Sequence, residues 1–368
     1  LQEPFRILSS RLIKGFSSAT QTGSKTKNMS KFTKKKEVIG IDISKDYIDA
    51  ALLREQNLNH FISERFTNDL EGFETMKTWC TRHKVKLGDC LFCMEHTGNY
   101  GLLLFAWLSQ QGADFCVEPG MQIKRSQGMT RGKGDQVDAQ RIALYAMNRK
   151  AQLIAYKLPS EDLIRIKQLL TYRDQLVRTR TSLKNSLQSH QKYEEIIHWD
   201  YVTKDIQMRI ANLNDSIEQL EKQIKEIIQS DNGLKNNFKM ATSVKGIGLV
   251  IAAFMLVTTN NFSSFDNGRK YACYSGIAPF PHNSGTSIKG KTQVSYLANR
   301  RIKTLLANGA NSAKRYDPEI RTYYNRKISE GKDHKLVINA ISCKLVNRVF
   351  SAVKRQSPYV EIYRNNFA

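Results

Sequence analysis

Seven aliphatic residues are spaced with a regularity that few folds can absorb. Ile206, Ile210, Leu213, Ile217, Leu220, Ile224 and Ile227 step by 4, 3, 4, 3, 4, 3. That is the heptad seam of a helix that wraps around another helix. A strand cannot use it, because strand faces alternate every second residue. The stretch before it, about 160–190, carries a looser seam through Leu169, Leu176 and Leu183, and 160–235 holds one glycine and no proline. Helix breakers are therefore nearly absent. Two long helices joined near 190–200 would form an antiparallel hairpin or a dimerisation arm; the alternative is a pair of helices in a compact bundle.

The segment ahead of these helices has a different rhythm. Glu37 to Ile43 reads as a buried strand, Tyr47 to Leu53 as a second, and His60 to Thr67 as a third with alternating Phe61, Ile62 and Phe66. Asn68 or Asp69 caps a helix through Phe73, Met76 and Trp79. Cys90 to Glu95 is a fourth strand, Tyr100 to Gln110 a helix ended by Gly112, Ala113 to Val117 a fifth strand, and Asp135 to Met147 a helix. The order βββ-α-β-α-β-α is that of a ribonuclease H-like domain, a mixed sheet flanked by helices. The expected fold class is thus α/β plus α: this domain, a coiled-coil helical arm, and a mainly helical C-terminal domain. The expected boundaries are 1–36, 37–155, 156–238 and 239–368. Residues 1–28 are rich in Ser, Thr, Gly and Lys, and Met29 precedes the first strand. We expect 1–28 to be a disordered extension and Met29 the native start.

Charge narrows the function. Lys and Arg number 57 against 34 acids, a formal net charge of +23, which favours a polyanionic partner. The excess is uneven: +8 over 1–36, −6 over 37–119, +9 over 120–190, −3 over 191–238 and +15 over 239–368. Basic surfaces hold phosphates, while clustered carboxylates hold divalent metal. A basic protein with one acidic segment suits a metal-dependent nuclease. No apolar run reaches the 18 or so residues of a membrane span, and no signal peptide is visible, so the expectation is a cytoplasmic protein with no membrane partner. The six scattered cysteines read as reduced thiols.

Four acids stand out by placement. Asp42 lies on the first strand among apolar residues, where an uncompensated carboxylate is expensive. Glu95 ends the fourth strand. Asp135 and Asp138 are three apart on a helix, hence on one face, where they repel unless something positive lies between them. In a ribonuclease H-like fold these positions converge, and four carboxylates there can hold two Mg²⁺ ions, with Mn²⁺ an alternative. Cys90 and Cys93 form a lone CxxC with no second pair, and on a strand they point to opposite faces, which speaks for core and against zinc. His96 reads either as support for a metal ligand or as a structural residue. Lys245-Gly246-Ile247-Gly248 before the apolar helix at 249–257 reads equally as a phosphate-binding helix start or as a plain glycine turn.

These motifs together resemble a known family, the insertion-sequence 110 or DEDD transposases, related to Piv-type DNA invertases. The stretches that carry it are Gly40-Ile41-Asp42-Ile43-Ser44-Lys45, Glu95-His96-Thr97-Gly98-Asn99-Tyr100 and Lys133-Gly134-Asp135-Gln136-Val137-Asp138-Ala139. Further along come Val244-Lys245-Gly246-Ile247-Gly248, Tyr274-Ser275-Gly276-Ile277-Ala278-Pro279, Asn283-Ser284-Gly285 and the basic stretch from Asn299. The resemblance spans about 37–350. It implies a RuvC-type nuclease domain with Asp42, Glu95, Asp135 and Asp138 as a metal-binding tetrad. It also implies a catalytic serine that becomes linked to DNA as a phosphoserine; by position this is Ser284, with Ser287 the second candidate. Gly246, Gly248 and Lys245, with Lys289, Lys291, Arg300, Arg301 and Lys303, are the implied nucleic-acid contacts.

The family further implies a transposase or recombinase of an insertion sequence, DNA ends and target as partners, a noncoding guide RNA from the element, and a homodimer or tetramer. A serine hydroxyl is a weak nucleophile that needs activation, and a covalent phosphoserine would conserve the phosphodiester energy for rejoining. The alternative enzyme is a RuvC-like metal-dependent nuclease or Holliday-junction resolvase without serine chemistry. A third possibility, a catalytically idle binding scaffold, is disfavoured because the four acids and the serine are all present.

Overall fold

The computed structural model describes residues 31–126, 134–192, 200–284, 288–294 and 298–360, and the chain divides into two compact units, Leu1–Leu158 and Pro159–Ala368. The expected extension 1–28 and native start Met29 lie outside the described residues.

The first unit is built on a five-stranded sheet of β1 (Glu37–Ile43), β2 (Tyr47–Arg54), β3 (Asn57–Thr67), β4 (Leu91–Glu95) and β5 (Asp114–Glu118), in the order β3-β2-β1-β4-β5. β1, β2 and β3 form an antiparallel meander, and β4 and β5 run parallel to β1. This is the mixed sheet expected from the sequence. The parallel crossovers are made by helices α1 (Leu70–Arg82) and α2 (Leu102–Gln110). Asp69 starts α1 by accepting the Gly72 N–H at 2.8 Å, the capping role its sequence position suggests. A short helix α3 (Gly120–Ser126), absent from the sequence reading, precedes α4 (Asp135–Arg149).

The sheet separates two cores. On one face Ile39, Ile41, Phe92, Met94 and Phe115 pack against α1 and α2 residues such as Phe73, Trp79 and Leu108. On the other Val38, Leu53, Leu91, Cys93 and Cys116 pack against Ile142, Ala143 and Tyr145 of α4. Cys90 lies in the first core and Cys93 in the second, on opposite faces as their spacing requires.

In the second unit, α5 (Glu161–Lys192) and α6 (Asp200–Ser230) lie antiparallel. Arg173 pairs with Glu221 and Arg180 bonds Asn214, so one index rises by seven as the other falls by seven. Ile206, Ile217, Leu220 and Ile224 of the seam are buried, whereas Ile210, Leu213 and Ile227 are half-buried. The base of this hairpin shares a core with α7 (Asn232–Thr242) and α8 (Leu249–Thr258) through Leu163, Ile166, Ile224, Ile228, Leu234 and Leu256.

Beyond it come α9 (Gly268–Tyr274), a two-stranded antiparallel sheet of β6 (Pro279–Ser284) and β7 (Ile288–Val294), α10 (Arg300–Tyr316), α11 (Pro318–Ser329) and α12 (His334–Arg355). α12 is long and apolar enough to cross a membrane, but Val337, Ile341, Leu345 and Val349 are buried at the centre of this unit's core.

Candidate active site

The alternation of β-strand side chains decides which groups meet. Val38 on β1, Leu91 and Cys93 on β4, and Cys116 on β5 all face α4. Two-residue periodicity then sends Asp42, Glu95 and Glu118 to that same face, at the C-terminal ends of the three parallel strands. Asp49, opposite Asp42 in the antiparallel ladder, shares it.

Glycine brings the helix in. A Cβ on Gly40 would lie 2.2 Å from the Ala143 backbone nitrogen and 2.3 Å from the Ala139 carbonyl oxygen. No other residue fits there, and β1 runs directly against the backbone of α4. The first turn of α4, which carries Asp135 and Asp138, is thereby drawn to the end of β1. Acids in a first turn are also favoured by the helix dipole.

The consequence is electrostatic. The Asp42 carboxyl is pushed up to about 6, first by burial and then by the negative charges of Asp138, Asp135 and Glu95. The structure therefore brings the other three sequence-identified acids within electrostatic reach of Asp42. Glu95 lies against Gly120, where a Cβ would stand 1.7 Å from Glu95 Oε1. The strand end beneath it is pinned by the His96 N–H donating to the Glu118 carbonyl at 3.0 Å. His96 itself is exposed, and its Nδ1 accepts from the Gly98 N–H at 3.4 Å.

Three neighbours escaped the sequence reading. Arg65 on β3 holds Asp49 through Nε at 3.1 Å and Nη2 at 3.0 Å, and reaches Asp135 Oδ2 at 2.8 Å. Arg141 holds Asp138 at 2.8 Å. Glu118, whose carboxyl is raised by burial, accepts from Tyr145 Oη at 2.9 Å. Arg141 could have been found from its i,i+3 spacing to Asp138. Nothing local marks Arg65, whose partners lie 16 and 70 residues away.

These arginines explain how the helix acids are oriented. Among the described residues, no group of three or more His, Cys, Asp or Glu side chains is arranged to hold a metal ion. Asp135 and Asp138 are instead turned to guanidinium groups. The donor set still suits a hard divalent cation: four carboxylates crowd one strand end, and one of them is costly to ionise without a counter-charge. Beside Glu95, Thr97 Oγ1 is buried with no hydrogen-bond partner.

The other sequence-identified residues lie in the second unit. Ser284 ends β6, paired in register with Ile288 of β7; Ser287 lies outside the described residues. Lys289 and Lys291 are on β7. Gly246 has φ +93°, and its Cβ would meet the Gly309 carbonyl oxygen at 2.4 Å, so this glycine serves a left-handed turn and close packing on α10. Gly248 is the exposed N-cap of α8, next to exposed Lys245 at 245–248. On α10, Arg300 is exposed and Lys303 half-buried. Arg301, expected to contact nucleic acid, is instead ion-paired with Asp174 of α5, which is 9% exposed. Its guanidinium helps neutralise a buried acid through Nη2, while its Nε has no hydrogen-bond partner among the described residues.

Comparison with known proteins defines the class. A family model described as Transposase matches residues 39–192, and one described as Transposase IS116/IS110/IS902 family matches residues 239–325. The chain is a DNA recombination enzyme. It belongs to the IS110-type transposase family, as the motifs in both halves implied. The pilin gene-inverting protein of Moraxella bovis is 27% identical over 336 residues, 88% of this chain and 98% of that protein. The insertion element IS110 43.6 kDa protein of Streptomyces coelicolor is 33% identical over 113 residues, 31% of this chain and 28% of that protein. Among solved structures, Thermus thermophilus RuvC in complex with a Holliday junction substrate aligns with 14% identity over 33% of this chain and 99% of that chain, at a TM-score of 0.25.

Proposed function

We propose that this transposase cuts and rejoins DNA strands with Asp42, Glu95, Asp135 and Asp138 holding divalent metal, Mg²⁺ or Mn²⁺, and with Ser284 as nucleophile. The observation that carries the reading is the Asp42 carboxyl, pushed up to about 6 by burial and three converging acids. Such a cluster is stabilised by a cation. Metal bound there would polarise the scissile phosphate and offset the charge that builds on it. The serine hydroxyl would attack phosphorus, forming a Ser–O–P bond as the bond to the departing sugar oxygen breaks. Its proton would pass to a base, and the departing oxygen would leave as a hydroxyl. Reversal by a new sugar hydroxyl would rejoin strands without an external energy source.

The reading assigns 37–155 to the nuclease domain, 156–238 to a coiled-coil arm and 239–368 to the serine domain. The half-buried Ile210 and Leu213 on the arm support pairing with a second copy, in a dimer or tetramer. The basic segments 120–190 and 239–368, together +24, support binding of DNA and of an element-encoded noncoding guide RNA, where base pairing would read sequence and protein would read backbone.

Two variants test this. Wild type incubated with its element DNA and Mg²⁺ should give a protein–DNA adduct on denaturing gels. Ser284→Ala should abolish the adduct and recombination, whereas Asp138→Asn should abolish cleavage while leaving nucleic-acid binding in place. Cleavage by Ser284→Ala with no adduct in wild type would support the plain nuclease or resolvase instead.

A further inference from the structure

A second concave surface lies at the end of the same sheet away from the acids. It is an open groove of about 850 Å³ containing Lys31, Lys34, Lys35, Lys36, Arg54 and Lys84. Glu37, the first residue of β1, and Asp114, the first residue of β5, mark its place at the N-terminal ends of the parallel strands. Asp42 is five residues further along β1, about 17 Å away at the rise of an extended strand.

Acids also line the groove, and pairing decides which cations are free. Lys31 and Lys35 both contact Asp114, Arg54 pairs with Glu37 at 3.1 Å, and Glu55 is taken by Lys150 at 3.0 Å. Lys34, Lys36 and Lys84 are exposed and in no ion pair among the described residues. They face only Asp89 among the unpaired acids of the lining.

Lys84 supplies an independent sign that this charge is retained at a cost. Helix α1 ends in a Schellman cap: Lys84 N–H donates to the Thr81 carbonyl and Val85 N–H to the Cys80 carbonyl, both at 2.9 Å, with Val85 buried behind them. The residue after the C-cap must then be left-handed, and Lys84 has φ +60°. Glycine is the residue that takes this position without strain. The chain keeps a long cation where glycine would be more stable, and points it into the groove. Backbone strain of this kind collects at functional sites.

We propose that this groove is a second nucleic-acid surface, which binds the sugar–phosphate backbone through Lys34, Lys36 and Lys84, separately from the acid cluster. The proposal stands independently of the serine and metal chemistry, because it concerns binding alone. The continuous basic run of Lys34-Lys35-Lys36 lies wholly in its lining.

The test is fluorescence anisotropy on the full chain without divalent metal, across a salt series, with labelled duplex DNA and a folded RNA of equal length. The Lys34→Gln/Lys36→Gln/Lys84→Gly triple variant should bind on the order of tenfold more weakly. Its log Kd against log salt should be shallower by about 2 to 3 for duplex DNA, the value for three lost phosphate contacts. Loss confined to one probe assigns the groove to that nucleic acid. Lys84→Gly alone should raise Tm by roughly 2 °C while weakening binding, a split that a purely structural lysine would not produce. A control triple on α6, Lys204→Gln/Lys222→Gln/Lys225→Gln, removes the same charge elsewhere and should change binding less. Wild-type affinity and salt slope in the groove variant, an equal loss in the control, or a fall in Tm for Lys84→Gly would overturn the proposal.

Discussion

Replacing Asp42 with asparagine removes one charge from the acid cluster and almost no volume, so it isolates the electrostatic cost of assembling the site. Folded Asp42 keeps its proton up to about 6, against an ordinary 3.8. Between those values the folded chain binds more protons than the unfolded chain, so stability falls as pH rises, and the loss is complete above about pH 6. A shift of about two units corresponds to roughly 3 kcal/mol at full strength. The carboxyl is only partly buried, and screening by water and salt brings the usable figure to about 1 kcal/mol. Asp42→Asn should therefore be more stable than wild type at pH 7 by about 1 kcal/mol, or roughly 3 °C in Tm. The gap should close towards pH 4 and shrink in high salt. Calorimetry in chelator-treated buffer at pH 4, 5, 6 and 7 reads this directly. Adding Mg²⁺ at pH 7 should raise the Tm of wild type and leave Asp42→Asn nearly unmoved. An Asp42→Asn protein that melts below wild type at pH 7, or a gap that does not widen from pH 4 to pH 7, would refute the crowding of the four acids.

Gly40→Ala should cost about 3 kcal/mol or more, since its Cβ would meet backbone atoms of α4 and not a movable side chain; urea denaturation checks this, and a neutral result would mean that β1 and α4 are not in backbone contact. Arg65→Leu strips buried Asp49 of its partner and should lower the urea midpoint, with most of the loss recovered in Arg65→Leu/Asp49→Asn. Arg301→Gln should lower thermal stability by leaving Asp174 with only the longer Arg173 contact at 3.9 Å, yet leave the salt slope of DNA binding unchanged, whereas exposed Arg300→Gln should leave stability alone. The anisotropy and melting experiments used for the groove separate the two.

What the sequence could not disclose was where each charge is spent. The sheet was legible because β1, β2 and β4 announce themselves as short apolar runs, and β1 was bounded at 37–43 as the structure has it. The four acids were legible because they sit at strand ends and in a first helical turn, positions defined by short windows. The β6–β7 hairpin was not, since Pro279-Phe280-Pro281-His282 has neither alternation nor a turn pair to mark it. Helix α3 is too short for periodicity to detect. The larger difficulty is pairing. Arg65 and Arg301 close ion pairs 70 and 127 residues away in sequence, and Arg348 is held between Asp317 at 2.7 Å and Glu319 at 2.7 Å. A count of 57 Lys and Arg includes all of them as if they faced a polyanion. Once these are set aside, the cations that remain available are the exposed, unpaired ones. By that criterion Lys34, Lys36 and Lys84, which no motif marks, are stronger candidates for phosphate contact than Arg301, which the family's basic stretch includes.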